Sequence, residues 1–155
     1  MSTILDVDTF RTVVASAPLV SIDLIVRRDD GCVLLGRRVN PPALGYWFVP
    51  GGRIRKNESL DQAFLRLTDE ELGAPYPRSS AMLLGIYEHF YTDSVFGDSD
   101  QSPSTHYVVV GYELMLVDDL VSLPLQQHSG YRWLHTQDIL NASDVHINTK
   151  AYFLS

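Results

Sequence analysis

Gly52 to Ala74 reads GRIRKNESLDQAFLRLTDEELGA, and this stretch decides the fold. Ser59 followed three residues later by Gln62 has the form of a capping box, which predicts a helix starting there. Gly73 supplies the stop, as a residue able to adopt the left-handed conformation just past the last turn. Between them Leu60, Ala63, Phe64 and Leu67 recur at i, i+3, i+4 and i+7, so they are expected on one packed face. Glu71 lies four residues beyond Leu67, on the same stripe. A carboxylate on a packed side is costly unless a cation or hydrogen-bond donors compensate it. Arg66 and Glu70 are i, i+4 neighbours on the flank of the stripe. Two readings of Glu71 stand open from the residues alone: an ion pair with an arginine such as Arg53 or Arg66, or a metal ligand.

The chain of 155 residues fits one domain, expected to run over 1–155, with room for one real core. With 45% hydrophobic and 20% charged residues it has the composition of a globular protein. A formal charge of −7 argues against a nucleic-acid binder, which needs a basic surface. An anionic small ligand stays open, provided local arginines and a metal meet it. The single cysteine, Cys32, sits in an apolar strand-like run and is expected to be a buried, inert thiol. The opening MSTILDVDTF has neither a basic segment nor an apolar run, and no apolar stretch approaches 18 residues, so a soluble cytoplasmic protein with no membrane partner is expected.

Outward from the quoted helix, residues 6–17 read as an amphipathic helix capped by Asp6 or Asp8, with Phe10, Val13 and Val14 packed. Leu19–Arg27 and Cys32–Arg37 read as strands about an Asp29-Asp30-Gly31 turn. A Pro-containing loop, Asn40–Gly45, leads to a short strand, Tyr46–Val49, and then to Pro50-Gly51-Gly52. After the helix, Met82–Tyr91 and His106–Val117 are strands flanking an Asp/Ser/Gly-rich loop, Thr92–Ser104. Residues 122–130 read as a second loop, Tyr131–Leu134 as a strand and Thr136–Leu140 as a short helix. The order implies a mixed sheet between helices, an α/β sandwich.

Gly52, Glu58, Arg66, Glu70, Glu71 and Gly73 match the stations of the Nudix signature, G-x5-E-x7-R-E-U-x-E-E-x-G-U with U a bulky apolar residue. Leu67 stands where that signature has a glutamate. In the family this acid belongs to a carboxylate cluster around divalent metals, so its loss lowers the charge available to hold them. The chain resembles more specifically the GDP-mannose mannosyl hydrolases, a divergent Nudix branch that also lacks this glutamate. The resemblance rests on PLVSIDLIV, GYWFVPGGR, AFLRLT, THYVVVGY, QHSGYRWL and VHINTKAYFL, and covers nearly the whole chain. Glu70, where the branch commonly has a neutral residue, and Lys150, where arginine is expected, depart from it. The extra acid leaves open a second metal or a diphosphatase side activity.

The resemblance implies a Nudix α/β/α sandwich, a homodimer, and one Mg²⁺ per subunit, replaceable by Mn²⁺, held by Glu71, Gln127 and the carbonyl of Gly51. It implies that His128 is the general base, a role suited to imidazole near neutral pH. Read alone, His128 is a solvated loop residue and Gly51-Gly52 a simple turn. Arg38 and Arg53 are candidate clamps for a diphosphate, since guanidinium forks match phosphate oxygens and keep their charge. Arg66 reads equally as a clamp or as a structural partner of Glu70 or Glu71. Asp23 interrupts an apolar strand; it either pairs structurally or, by resemblance, binds substrate through sugar hydroxyls. Tyr107 is a core tyrosine or, by resemblance, a donor to the diphosphate. His89, Phe90 and Tyr91 could stack on a guanine, with packing equally open. No zinc pattern and no nucleophile elbow is present.

The expected reaction is hydrolysis of GDP-mannose, and of GDP-glucose if the sugar pocket admits it, by water attack at sugar C1 with inversion. A conventional Nudix pyrophosphatase attacking phosphorus, and a nucleotide-sugar sensor without turnover, are the alternatives.

Overall fold

The computed structural model describes residues 4–116 and 128–154. The first helix, α1 (Val7–Ser16), is capped by Asp6, whose carboxylate accepts from the Thr9 backbone N–H at 2.9 Å, and buries Val14. β1 (Leu19–Arg27) and β2 (Val33–Arg38) follow, then the short β3 (Trp47–Phe48) and β4 (Gly51–Arg53). α2 (Leu60–Leu72) has the expected ends: Ser59 and Gln62 complete the capping box, and Gly73 closes the helix at φ 82°. β5 (Ala81–Tyr91), β6 (Thr105–Met115), β7 (His128–Leu134), α3 (Thr136–Asn141) and α4 (Ile147–Lys150) complete the described strands and α-helices, with single 3-10 turns at Arg78–Ser80 and Ala151–Phe153.

The sheet runs β3-β2-β1-β6-β5, with β4 added to β1 and β7 to β2. β1 and β6 are parallel, from Leu19↔Tyr107 to Arg27↔Met115, while the other named pairs are antiparallel. A central strand covered on both faces must be apolar on both, which is why LVSIDLIV is nearly continuous. Ile22, Leu24 and Val26 pack with Phe64, Leu67 and Leu72 of α2. Ile25 packs on the opposite face with Trp47, Val49, Ile139 and Val145. The mixed sheet with helices on both faces is the expected α/β architecture. Cys32 is buried and free, as expected.

Local signals misread three places. Leu60 is 38% exposed, because the first turn of α2 overhangs the core that Ala63 and Phe64 enter. Gly51–Arg53 is a strand rather than a turn, since pairing with Ser21–Asp23 supplies what glycine's weak strand preference lacks. His128–Gly130 belong to β7 and not to a loop, because β2 offers them a partner edge. Gln127 lies outside the described residues. Among the described residues no helix is long and apolar enough to cross a membrane.

Candidate active site

Two glycines build the floor of the main cleft. A Cβ on Gly51 would fall 2.3 Å from the Ile22 carbonyl and 2.5 Å from Asp23 Oδ1, so only glycine lets β4 lie against β1 here. A Cβ on Gly52 would fall 2.5 Å from Leu67 Cδ2. Leu67 is 3% exposed, so the side chain in the glutamate's place seals the cleft from beneath. On one side β1 brings Asp23; on the other α2 brings Glu71. Arg38, Arg53 and Tyr107 complete the wall, so these predicted site residues share one cleft with Gly51.

Glu71 is 4% exposed, and its Oε1 accepts from the Gly51 N–H at 3.3 Å. Among the described residues it forms no ion pair. The pairing with Arg53 or Arg66 left open by the sequence is therefore absent. Burial pushes its carboxyl up to about 7, the nearby Glu70 and Asp23 adding to the rise. Asp23 is pushed up to about 6 by burial, against the Tyr152 hydrogen bond and the charge of Arg38. Two carboxyls held above their ordinary values by burial in one cleft mark it as the candidate functional site. Glu71 and the adjoining Gly51 backbone fit a divalent ion, since a hard cation takes carboxylate and carbonyl oxygens together. Among the described residues no group of three or more His, Cys, Asp or Glu side chains converges, so any such site there is of mixed donors.

The two arginines are held by their stems. Arg38 Nε donates to the Pro42 carbonyl at 2.9 Å, and its guanidinium lies 5.7 Å from the Phe48 ring centroid. Arg53 lies 4.8 Å from the Phe10 ring centroid, and burial lowers its pKa. Burial raises that of Tyr107, while Arg38 and Arg53 oppose the rise. Past these three the cleft opens into a second lobe bounded by Phe10, Pro41 and Val95. The loop beside that lobe is tied down: Thr105 Oγ1 donates to the Asp93 carbonyl at 2.7 Å, Arg11 donates to the Gln101 carbonyl, and Phe96 packs on Phe10.

Arg66 and Glu70 stand outside the cleft lining. Arg66 grips both oxygens of Glu58, at 2.7 and 2.8 Å, reaches Glu70 at 3.1 Å, and donates to the Arg53 carbonyl at 2.9 Å. It is thus a structural partner of Glu70 and Glu58, and Glu71 is not among its partners. The backbone of His128 pairs with Arg38 across β2 and β7, at the rim of the same region.

Several residues in or beside the cleft escaped the sequence reading or were left outside its main choice. His89 is 4% exposed, its Nε2 has no partner among the described residues, and burial pushes its pKa down to about 4. Tyr91 and Phe48 line the cleft too. His146 stacks on Phe48 at 4.7 Å, and its Nδ1 accepts from the Asn148 N–H. Strand alternation was the available signal: His89 and Tyr91 face inward, while Phe90 between them is 64% exposed and faces away. His146 carried no local signal.

The family profile described as NUDIX domain matches residues 17–154. The chain is 45% identical over 119 residues to the low-salt glycan biosynthesis protein Agl8 of Haloferax volcanii, covering 77% of this chain and 72% of that protein. It is 31% identical over 109 residues to the ADP-ribose pyrophosphatase of Methanocaldococcus jannaschii, covering 66% of this chain and 57% of that one. Its fold is similar to a MutT NUDIX hydrolase from Burkholderia pseudomallei, with a TM-score of 0.70 at 24% identity over 89% of this chain and 97% of that one.

Proposed function

The chain belongs to the NUDIX family of hydrolases, and from that premise we propose that it hydrolyses GDP-mannose to GDP and mannose by attack of water at sugar C1. The observation that carries this reading is the poverty of acid on α2. Leu67 is packed beneath Gly52, Glu70 is engaged by Arg66, and Glu71 alone of the three turns into the cleft. Such a site suits neutralising a leaving group better than generating a nucleophile at phosphorus. The Agl8 relative supports a nucleotide-sugar, since its name concerns glycan biosynthesis and nucleotide-sugars are the activated donors of glycans.

NUDIX hydrolases generally use divalent cations such as Mg²⁺. Here Glu71, the Gly51 carbonyl and Gln127 would hold it, and when bound it would neutralise charge gathering on the diphosphate. Arg38 and Arg53 bind the diphosphate oxygens from the wall, and Tyr107 donates a further hydrogen bond. Asp23 orients the sugar through its hydroxyls, with the nucleoside directed to the second lobe. As the C1–O bond breaks, its electron pair leaves with GDP and positive character builds on the sugar ring. Water forms the new bond at the opposite face of C1 and yields its proton to His128, giving inversion. A homodimer in the cytoplasm belongs to the same proposal, and light scattering tests the dimer.

The test is the product pair from GDP-mannose and Mg²⁺ in ¹⁸O-labelled water. GDP with label on mannose C1 is expected. GMP with mannose 1-phosphate would instead support attack at phosphorus, the second reading favoured by the ADP-ribose pyrophosphatase relative. Binding without turnover would support a sensor. If the first outcome holds, His128→Ala is expected to lower kcat by roughly 10²–10⁴, the usual share of a general base.

A further inference from the structure

Asp23 owes its setting to a residue 129 positions away. Tyr152, in the single turn Ala151–Phe153 near the end of the described chain, donates its hydroxyl to Asp23 Oδ2 at 2.5 Å. The other oxygen, Oδ1, lies over Gly51, and both residues line the cleft. The route to this contact is built into the sheet. Asp23 is paired in register with Gly111 on the neighbouring strand, and a Cβ there would fall 3.1 Å from the Tyr152 ring and 3.2 Å from the Tyr87 ring. The missing side chain is what lets the Tyr152 ring cross β6 to reach β1. Tyr87 then braces that ring edge-on at 4.5 Å.

The segment carrying Tyr152 is anchored independently of the contact. Trp47 N–H donates to the Asp144 carbonyl at 2.8 Å, and His146 N–H to the Trp47 carbonyl at 3.1 Å. The fully buried Thr149 accepts from the Val49 N–H at 3.3 Å. The hydroxyl is therefore fixed by the fold before any ligand arrives.

We infer that Tyr152 is a positioning residue, which holds Oδ2 of Asp23 so that Oδ1 is presented to the substrate in the cleft. A carboxylate on a strand can turn about its side-chain bonds, and a site that must meet sugar hydroxyls gains from having that freedom removed beforehand. Gly111 is part of the same device. The inference rests on the reading of Asp23 as a substrate-binding residue.

Two measurements test it. Crystal structures of the wild-type protein and of Tyr152→Phe are expected to show the Asp23 carboxylate turned from its wild-type orientation in the variant; an unchanged orientation overturns the inference. This comparison needs no substrate, so a wild-type protein inactive on GDP-mannose fails the functional reading alone. In kinetics, Tyr152→Phe is expected to cost roughly ten- to hundredfold in kcat/KM, the share of a hydrogen bond to a charged group. The loss is expected to fall mainly on KM, because the sugar contact exists in the bound ground state. In an Asp23→Ala background, which removes the acceptor, the same change is expected to cost less than about threefold, as the two act through one contact. Equal losses in both backgrounds, or a lowered melting temperature with unchanged KM, would make Tyr152 a packing residue. Gly111→Ala, which displaces the ring instead of removing the hydroxyl, is expected to reproduce the rise in KM.

Discussion

Glu70 and Glu71 are consecutive in α2, yet their surroundings differ in almost every respect. One residue along a helix is a turn of about 100°, and here that turn separates solvent from cleft. The Glu70 side chain is 44% exposed and meets Arg66 at 3.1 Å and Arg55 at 4.0 Å. Glu71 is 4% exposed, accepts from the Gly51 backbone N–H, and forms no ion pair among the described residues. On the first side charge is matched by charge: Arg66 also grips Glu58, whose carboxyl it holds below its usual range. On the second, burial holds the acid above its ordinary value and no cation among the described residues is paired with it. An ion-pair network and a buried carboxylate with no ion pair among the described residues thus lie back to back, and the second faces the candidate site.

The largest effect expected from this contrast is at Glu71. Glu71→Gln is expected to lower kcat by roughly a hundredfold or more, since metal-assisted charge stabilisation is worth several kcal/mol. The same variant should be the more stable one without metal. The Glu71 carboxyl stands at about 7 against an ordinary 4.5. As pH rises from 4.5 the unfolded chain releases this proton first, so the folded state loses stability until about pH 7 and nothing further above it. That loss amounts to roughly 3 kcal/mol. Urea denaturation with chelator at pH 4 and pH 8 checks it: similar midpoints are expected at pH 4 and a more stable variant at pH 8. A wild-type protein more stable than Glu71→Gln at pH 8 would mean that the fold itself satisfies Glu71.

Restoring the missing acid comes next in size. Leu67 is packed with Ile22, Phe64 and Leu72, and its methyl group occupies the space left open by Gly52. Leu67→Glu removes that packing and sets a charge against apolar neighbours, a cost of roughly 3 kcal/mol. The urea midpoint measures the cost. If the variant folds near wild-type stability and releases GMP, one side chain on α2 selects which bond is cut.

On the opposite flank, Arg66→Met is expected to destabilise by about 2 kcal/mol. It leaves Glu58, whose side chain is 6% exposed, without its bidentate partner. The kinetic effect should be small beside that of Glu71→Gln, because among the described residues Arg66 reaches the cleft through the Arg53 carbonyl. A large loss of kcat with an unchanged melting temperature would move Arg66 from scaffold to site.

What could be read from the sequence was what neighbouring residues decide. The ends of α2 were legible because Ser59, Gln62 and Gly73 act within one turn of the helix they bound. Asp23 was legible as a charge in an apolar run, and Glu71 as a charge on an apolar stripe. Gly51–Arg53 was not legible as a strand, because its hydrogen bonds come from β1 and not from its own composition. Tyr152 and His146 were invisible for the same reason on a longer scale: their partners lie across the sheet, and no spacing records that. The signature motif placed its residues without recording their partners. Its arginine and first glutamate, Arg66 and Glu58, proved to be partners of each other.

The smallest expected effect is at Glu70, and it is the sharpest test of the contrast. Glu70 is the acid in which this chain departs from the branch it resembles, and it left open a second metal. In the fold both of its oxygens face arginines, Arg66 and Arg55, and its side chain is nearly half in solvent. An exposed i, i+4 pair contributes about 0.5 kcal/mol or less. Glu70→Gln should therefore shift the urea midpoint barely measurably and leave kcat within about twofold, with the Mg²⁺ dependence of the rate unchanged. A second ion at Glu70 would have to displace Arg66 from it. Should the variant show a simpler Mg²⁺ dependence or lose a GMP-forming side activity, Glu70 would join Glu71 as a ligand, and the two faces of α2 would be one site.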